Sequence, residues 1–196
     1  MTKSEKTRQY IIEKTAPIFN KQGFAGTSLN DMIEITGLSK GSIYGNFENK
    51  DAVAIAVFEF NLKNLQYSFR SEMDKRNSYK EKLLVFPDSY EGFYIRLIEN
   101  GGCPILNTAI EADDTHPQLK QHASKAIEDW KKQLIYLLNK GIEAEEFSLQ
   151  NDSVEQFALT MLATIEGAIM ITKLTGKLNN LKMIMDSVKN DINNLK

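Results

Sequence analysis

The sequence predicts an all-α protein of roughly eight to nine helices, with three short ones before residue 50 and longer ones after it. Three observations carry this. Apolar residues recur at spacings of three and four, the period of a helix with one buried face. Proline is confined to Pro17, Pro87, Pro104 and Pro117. No run shows the sustained two-residue alternation of a half-buried strand. With 196 residues, 42% apolar and 26% charged, the chain has an ordinary globular composition and room for one domain or two small ones.

The elements follow in chain order. Ile11, Ile12, Ala16 and Phe19 form the first apolar stripe, and Gly23 stands where a helix-terminating glycine would. Pro17 lies inside this stripe and is expected to kink it near Thr15. Ser28, with Asp31 three residues on, makes a capping-box start for a second helix, and Gly37 marks its end. Val53, Ala56, Val57, Phe60 and Leu65 form the next long stripe, which begins directly after Lys50 without a flexible linker. Gly101-Gly102 breaks the middle of the body. Ile127, Trp130, Leu134, Leu137 and Leu138 form a further stripe. Asn151-Asp152-Ser153 offers N-caps for the long run Val154, Phe157, Ala158, Met161, Leu162, Ile165, Ala168 and Ile169. Leu178, Leu181, Ile184, Met185, Val188 and Ile192 form the last. The domain boundary is expected at residue 50, giving a domain over 1–50 and a second over 51–196.

Composition narrows the function. The net charge is −2, but residues 1–50 hold seven basic and five acidic side chains while residues 51–196 hold seventeen and twenty-one. A mildly basic head on a mildly acidic body permits a local phosphate-facing surface and argues against general coating of nucleic acid. One cysteine, Cys103, excludes a disulfide framework and fits a reducing cytoplasm. No run approaches ~18 consecutive apolar residues, and the N-terminus lacks an apolar signal core, so neither a membrane span nor export is expected. No serine-histidine-acid set, glycine-rich phosphate loop or cluster of metal ligands appears. His116 and His122 are six residues apart, the wrong spacing for one helix face. Catalysis, a cofactor and a bound metal are therefore not expected.

The informative segment is Leu29 to Phe47, LNDMIEITGLSKGSIYGNF. It has helix-turn-helix anatomy. Leu29, Met32 and Ile33 form the inner face of a first helix, Gly37 the tight turn, and Leu38 and Ile43 the packing face of a second. The outer positions of the second helix are small or polar: Ser39, Lys40, Gly41, Ser42, Tyr44, Gly45 and Asn46. Small residues let a helix approach DNA closely, and hydroxyls, an amide and a lysine reach phosphates and base edges. Lys50 follows just beyond.

The string from Ala16 to Val53 closely resembles the TetR/AcrR family of bacterial transcriptional regulators. Phe19, Gly23-Phe24, Thr27-Ser28, Gly37-Leu38-Ser39-Lys40-Gly41, Tyr44, Phe47 and Lys50 stand at the family's spacing. GGCPILNTAIEADDTHPQLK resembles, less specifically, a segment of the regulatory domain in one branch of that family. The resemblance implies an N-terminal three-helix DNA-binding domain and a C-terminal helical bundle for ligand binding and dimerisation. It implies a cytoplasmic homodimer that binds a pseudo-palindromic operator, represses transcription and releases DNA when a small-molecule inducer binds. Carried over by position, Thr27 and Ser28 would contact phosphate. Ser39, Lys40, Gly41 and Ser42 would open the recognition helix. The Tyr44 hydroxyl would reach the backbone, and Asn46 and Lys50 would anchor the far end. The chain departs from the family at Gly45, often His or another polar residue there, and at Ile33, often Ala.

Other residues carry weaker expectations. The body is rich in aromatics and methionines, and Phe60, Tyr94, Trp130 and Met161 are the candidate pocket residues. The family pairs its last two helices with their copies, which makes Ala158, Leu162, Ile165, Ile169, Leu181, Ile184 and Val188 the candidate dimer interface. Cys103 has two readings. One is a small buried apolar residue. The other is a thiol activated at a helix start, which would make the protein a redox- or electrophile-sensing repressor.

Overall fold

The computed structural model describes the backbone of residues 1–149 and 153–196, and all their side chains except those of Glu91, Phe93, Tyr94 and Arg96. Among the described residues there are nine helices and no strand. They are α1 Lys3–Gly26, α2 Leu29–Thr36, α3 Lys40–Tyr44, α4 Lys50–Met73, α5 Tyr79–Glu99, α6 Pro104–Ala112, α7 Pro117–Glu143, α8 Val154–Thr175 and α9 Leu178–Asn193. Asn151 and Asp152, expected as N-caps of α8, lie outside the described residues; Ser153 caps it through a bond from the Gln156 N–H, 3.1 Å.

α1 differs from expectation at its break. Its dihedral angles stay helical through Pro17, and the only non-helical residue inside it is Gly23, at φ 74° and ψ −177°. That conformation strains any residue with a Cβ, so the glycine decides where the helix is interrupted. Thr2 and Glu5 cap the start of α1 reciprocally, at 2.7 and 3.2 Å.

Packing divides the chain into two compact units. One comprises Met1–Leu65 with Glu99–Lys125, and the other Gln66–Ile98 with Ala126–Lys196. Lys50 opens α4, and the first unit continues along α4 to Leu65 and takes in α6 and the start of α7. The reason is burial: Ile105, Ala112 and Leu119 join Ile11, Phe19, Val53, Val57 and Phe58 in the buried core of that unit.

In the second unit an aromatic cluster stands at the centre. Phe69 lies 5.1 Å from Phe86, 5.3 Å from Tyr90 and 6.3 Å from Trp130, ring centre to ring centre. α8 packs along α9, and Ala158, Leu162, Ile165 and Ile169 of α8 and Leu181, Met185 and Val188 of α9 are buried. By length and composition alone α8 would cross a membrane, yet eight of its side chains are buried inside the protein, the behaviour of a core helix.

Candidate nucleic-acid interface

The helix-turn-helix is built from local signals. Ser28 accepts the Asp31 N–H at 3.1 Å while the Asp31 carboxylate accepts the Ser28 N–H at 2.6 Å, a complete capping box at the start of α2. Hydrogen bonding from the Ser28 hydroxyl first, and from the Ser28 N–H next, holds the Asp31 carboxyl below its ordinary value against the opposing effect of burial, with the charge of Lys50 a smaller aid. Gly37 closes α2 in the left-handed conformation, its N–H bonded to the Ile33 carbonyl. Ser39 then caps α3, accepting the Ser42 N–H at 3.2 Å. Met32 and Ile43 are wholly buried and Phe47 nearly so, which presses α3 against α2 and leaves its other face outward.

That outward face carries most of the expected residues. Ser28, Ser39, Lys40 and Gly41 are exposed, and Ser42, Tyr44, Asn46 and Lys50 are half-buried. A Cβ on Gly41 would meet only the Ser39 Oγ, at 3.9 Å, so the space in front of α3 is open. Lys50 rests with its ammonium 4.3 Å from the centre of the Phe24 ring. Such a contact near the surface is worth about 0.5–1 kcal/mol, weak enough for the lysine to turn toward a phosphate.

Two expected residues are occupied otherwise. Thr27 is 0% exposed, and its hydroxyl donates to the Gly23 carbonyl at 2.7 Å. It seals the end of α1 and has no surface to offer, which removes its side chain from the phosphate-facing set. Asn46 is bound on every side: its amide donates to the Ser42 carbonyl at 2.8 Å, its side-chain oxygen accepts from Ser4 at 3.0 Å and its backbone carbonyl from Arg8 at 2.8 Å. Asn46 therefore pins α3 to the first turns of α1.

Sequence reasoning missed the other half of that joint. The Arg8 guanidinium lies 4.0 Å over the Phe47 ring, tying the basic start of α1 to the end of the motif. The Tyr10 hydroxyl donates to the Thr36 carbonyl at 3.0 Å. It also missed His116, which is buried. Its Nδ1 accepts the Leu119 N–H at 3.2 Å, which caps α7 and places the proton on Nε2, 2.8 Å from the Asp51 carboxylate. Its ring meets Phe24 edge-on at 4.5 Å. His122 faces Glu59 at 3.4 Å. Among the described residues no three His, Cys, Asp or Glu side chains converge as a metal site would require. The histidines' roles depend on spatial neighbours in other helices, which linear spacing does not reveal.

Among the candidate pocket residues, Phe60 belongs to the first unit and Trp130 and Met161 to the second. Trp130, 8% exposed, is part of the aromatic cluster, and its indole N–H has no acceptor among the described residues. Met161 lines an open cleft of about 390 Å³ with Phe157, Thr160, Val188 and Leu195. The Tyr94 side chain lies outside the described residues.

Of the candidate interface residues, Ala158, Leu162, Ile165, Ile169, Leu181 and Val188 are buried within the single chain, and Ile184 is half-buried. The six buried ones belong to the core of the single chain. The apolar side chains left outward are Leu159, Met170, Ile171 and Leu174 on α8 and Leu178 and Met183 on α9. A continuous apolar stripe does not say which edge faces inward; packing of α9 decides it.

Cys103 is wholly buried and precedes Pro104 at the start of α6, with no side-chain capping bond. A thiol without access to solvent is poorly placed to meet an oxidant, which disfavours the redox-sensing alternative.

Comparison with known proteins agrees with this geometry. Residues 11–57 match the family described as bacterial regulatory proteins, tetR family, and residues 80–188 match the tetracyclin repressor-like C-terminal domain. A TetR-family transcriptional regulator from Cytophaga hutchinsonii, known as a crystal structure, is 46% identical over 100% of this chain and 98% of its own, with a TM-score of 0.94. A TetR regulator from Chloroflexus aurantiacus is 31% identical over the same shares, with a TM-score of 0.92. The HTH-type transcriptional repressor DhaR of a Mycobacterium is 24% identical over 85% of this chain and 82% of its own. A chain with this helix-turn-helix, both matching domains and these relatives belongs to the TetR family of transcriptional regulators.

Proposed function

We propose that the protein is a cytoplasmic homodimeric repressor that grips a pseudo-palindromic operator and lets go when a small-molecule inducer occupies its second unit. The observation that carries the DNA-binding part is the outward face of α3, where Ser39, Lys40 and Gly41 stand exposed while Ile43 and Phe47 lock the helix from behind. Ser28, Ser42, Tyr44 and Lys50 flank it and supply phosphate contacts. Two such helices enter successive major grooves about 34 Å apart. The outward apolar edge of α8 and α9, with Leu159, Met170, Leu174 and Met183, is the surface for the second copy. The role is recognition and regulation, with no catalysis and no cofactor.

On this reading the inducer binds beside Trp130. Buried polar groups are normally hydrogen-bonded, so an indole donor without an acceptor inside an aromatic cluster suits a ligand with an apolar body and one acceptor atom. An inducer that prefers the DNA-incompetent arrangement shifts the population by its differential affinity and no more.

The test is selection of binding sites from random DNA, followed by a mobility shift at roughly 150 mM salt with excess competitor. The expected result is one enriched palindromic sequence, with a shift lost in a Tyr44→Phe, Lys50→Ala double variant. Selection that enriches nothing would sink the repressor reading.

A further inference from the structure

We propose that Asn107 and Glu111 of α6 form a polar clip across the break in α1, and that this clip sets the pose of the helix-turn-helix. The inference rests on the repressor reading above and names the residues through which the body reaches the DNA-binding surface.

An unbroken α1 would bond the Phe24 N–H to the Asn20 carbonyl, four residues back. Gly23 at φ 74° separates those two groups. α6 completes both halves. The Asn107 amide donates to the Asn20 carbonyl at 3.0 Å, and the Glu111 carboxylate accepts the Phe24 N–H at 2.7 Å and the Ala25 N–H at 2.8 Å. Asn107 and Glu111 are four residues apart and so share one face of α6. The turn that delivers α6 is fitted to the same place. The Asn20 amide donates to the Asn100 and Gly102 carbonyls at 2.6 and 2.9 Å, and Asn107 also donates to Gly101 at 2.8 Å. A Cβ on Gly101 would stand 2.7 Å from the Asn20 carbonyl oxygen, which accounts for glycine there. A Cβ on Gly23 would stand 2.2 Å from the Glu111 carboxylate.

What the clip holds leads directly to the motif. The Phe24 ring lies under the Lys50 ammonium and against His116. Thr27 bonds back to Gly23, and Ser28 is already the cap of α2. Any shift of α6 therefore pulls on Phe24 and Ala25, two residues before the Thr27-Ser28 start of α2. The chain enters α6 from α5 and leaves it into α7, both of which continue in the second unit.

The test uses the full-length protein in wild-type, Glu111→Ala, Glu111→Gln and Asn107→Ala forms. Residue-resolved hydrogen exchange is read at Phe24 and Ala25. Affinity is read on the selected operator and on versions with one base pair added or removed between half-sites. In Glu111→Ala the two amides should exchange about tenfold faster or more, with α8 and α9 unchanged. Affinity for the selected spacing should fall about tenfold while affinity for the altered spacings holds, so discrimination narrows. Glu111→Gln, which keeps one acceptor oxygen, should fall between. Asn107→Ala keeps the carboxylate and should also narrow spacing discrimination, which covers the case in which Glu111→Ala does not fold. Unchanged exchange at Phe24 and Ala25, or an equal loss at all three spacings, would overturn the clip. A wild-type protein that selects no DNA would instead overturn the repressor reading, and with it the clip's role in pose.

Discussion

Gly41 is the residue at which fold and function separate most cleanly. Its absent Cβ would fill open space, so nothing in the protein requires glycine there. In a helix, alanine is favoured over glycine by about 0.5–1 kcal/mol. Gly41→Ala should therefore keep or raise the melting temperature while weakening operator binding about tenfold or more, since the added methyl stands where a base or phosphate must approach. Calorimetry and a binding titration on the same preparation read both effects. An equal fall in both would mean that Gly41 serves the fold. Cys103 gives the contrasting case. Because the thiol is buried, a colourimetric disulfide reagent should react with it only at the pace of unfolding, and Cys103→Ala should leave inducer-driven release intact. Rapid labelling of the native protein would revive an oxidant sensor.

At the scale of the element, the α2 capping box offers a pH test. The Asp31 carboxyl is held below its ordinary value chiefly by its bonds to Ser28. A group depressed in the folded state stabilises it above the unfolded value and loses that contribution as pH falls through the folded value. Asp31→Asn should lower the melting temperature at neutral pH, and the gap to wild type should close as acid protonates the wild-type carboxyl. A gap independent of pH would assign the effect to something other than charge. This element was legible in the amino-acid order itself, since Ser28 and Asp31 sit three apart ahead of an apolar run. α6 was legible only in part. Its start at Cys103 was readable after the Gly101-Gly102 break, but Asn107 and Glu111 have no partner in the neighbouring sequence beyond Gly101. Their four-residue spacing on a mostly apolar helix was the available signal, and its meaning came from Gly23, far away in sequence.

For the whole molecule, the outward apolar edge of α8 and α9 is the proposed surface of assembly. Leu174 is 80% exposed and Met170 40%, so neither is sealed in the single chain's core. Replacing both by arginine should leave helicity and the unfolding transition of each chain largely intact. It should turn a dimer into a monomer by light scattering and abolish operator binding, because one recognition helix reads only half a palindrome. Loss of folding in place of loss of dimerisation would move these residues into the core. The same comparison with Ile165 should unfold the chain, since that side chain is already fully buried.

Local rules were enough for the helices, their caps and the identity of the motif. Capping, glycine punctuation and helical periodicity act over three or four residues, so they are written in neighbouring letters: Ser28 with Asp31, Gly37, Ser39, and the stripes of the body. The family resemblance rested on those same short spacings. Contacts between distant segments were decided by the folded chain alone. Whether Thr27 faces DNA or seals α1, whether Ile165 faces a partner or the chain's own core, and that α6 closes the gap at Gly23 all depend on which surfaces meet. A stripe tells how much apolar surface a helix must hide, and only the packing of the other helices tells on which side it is hidden.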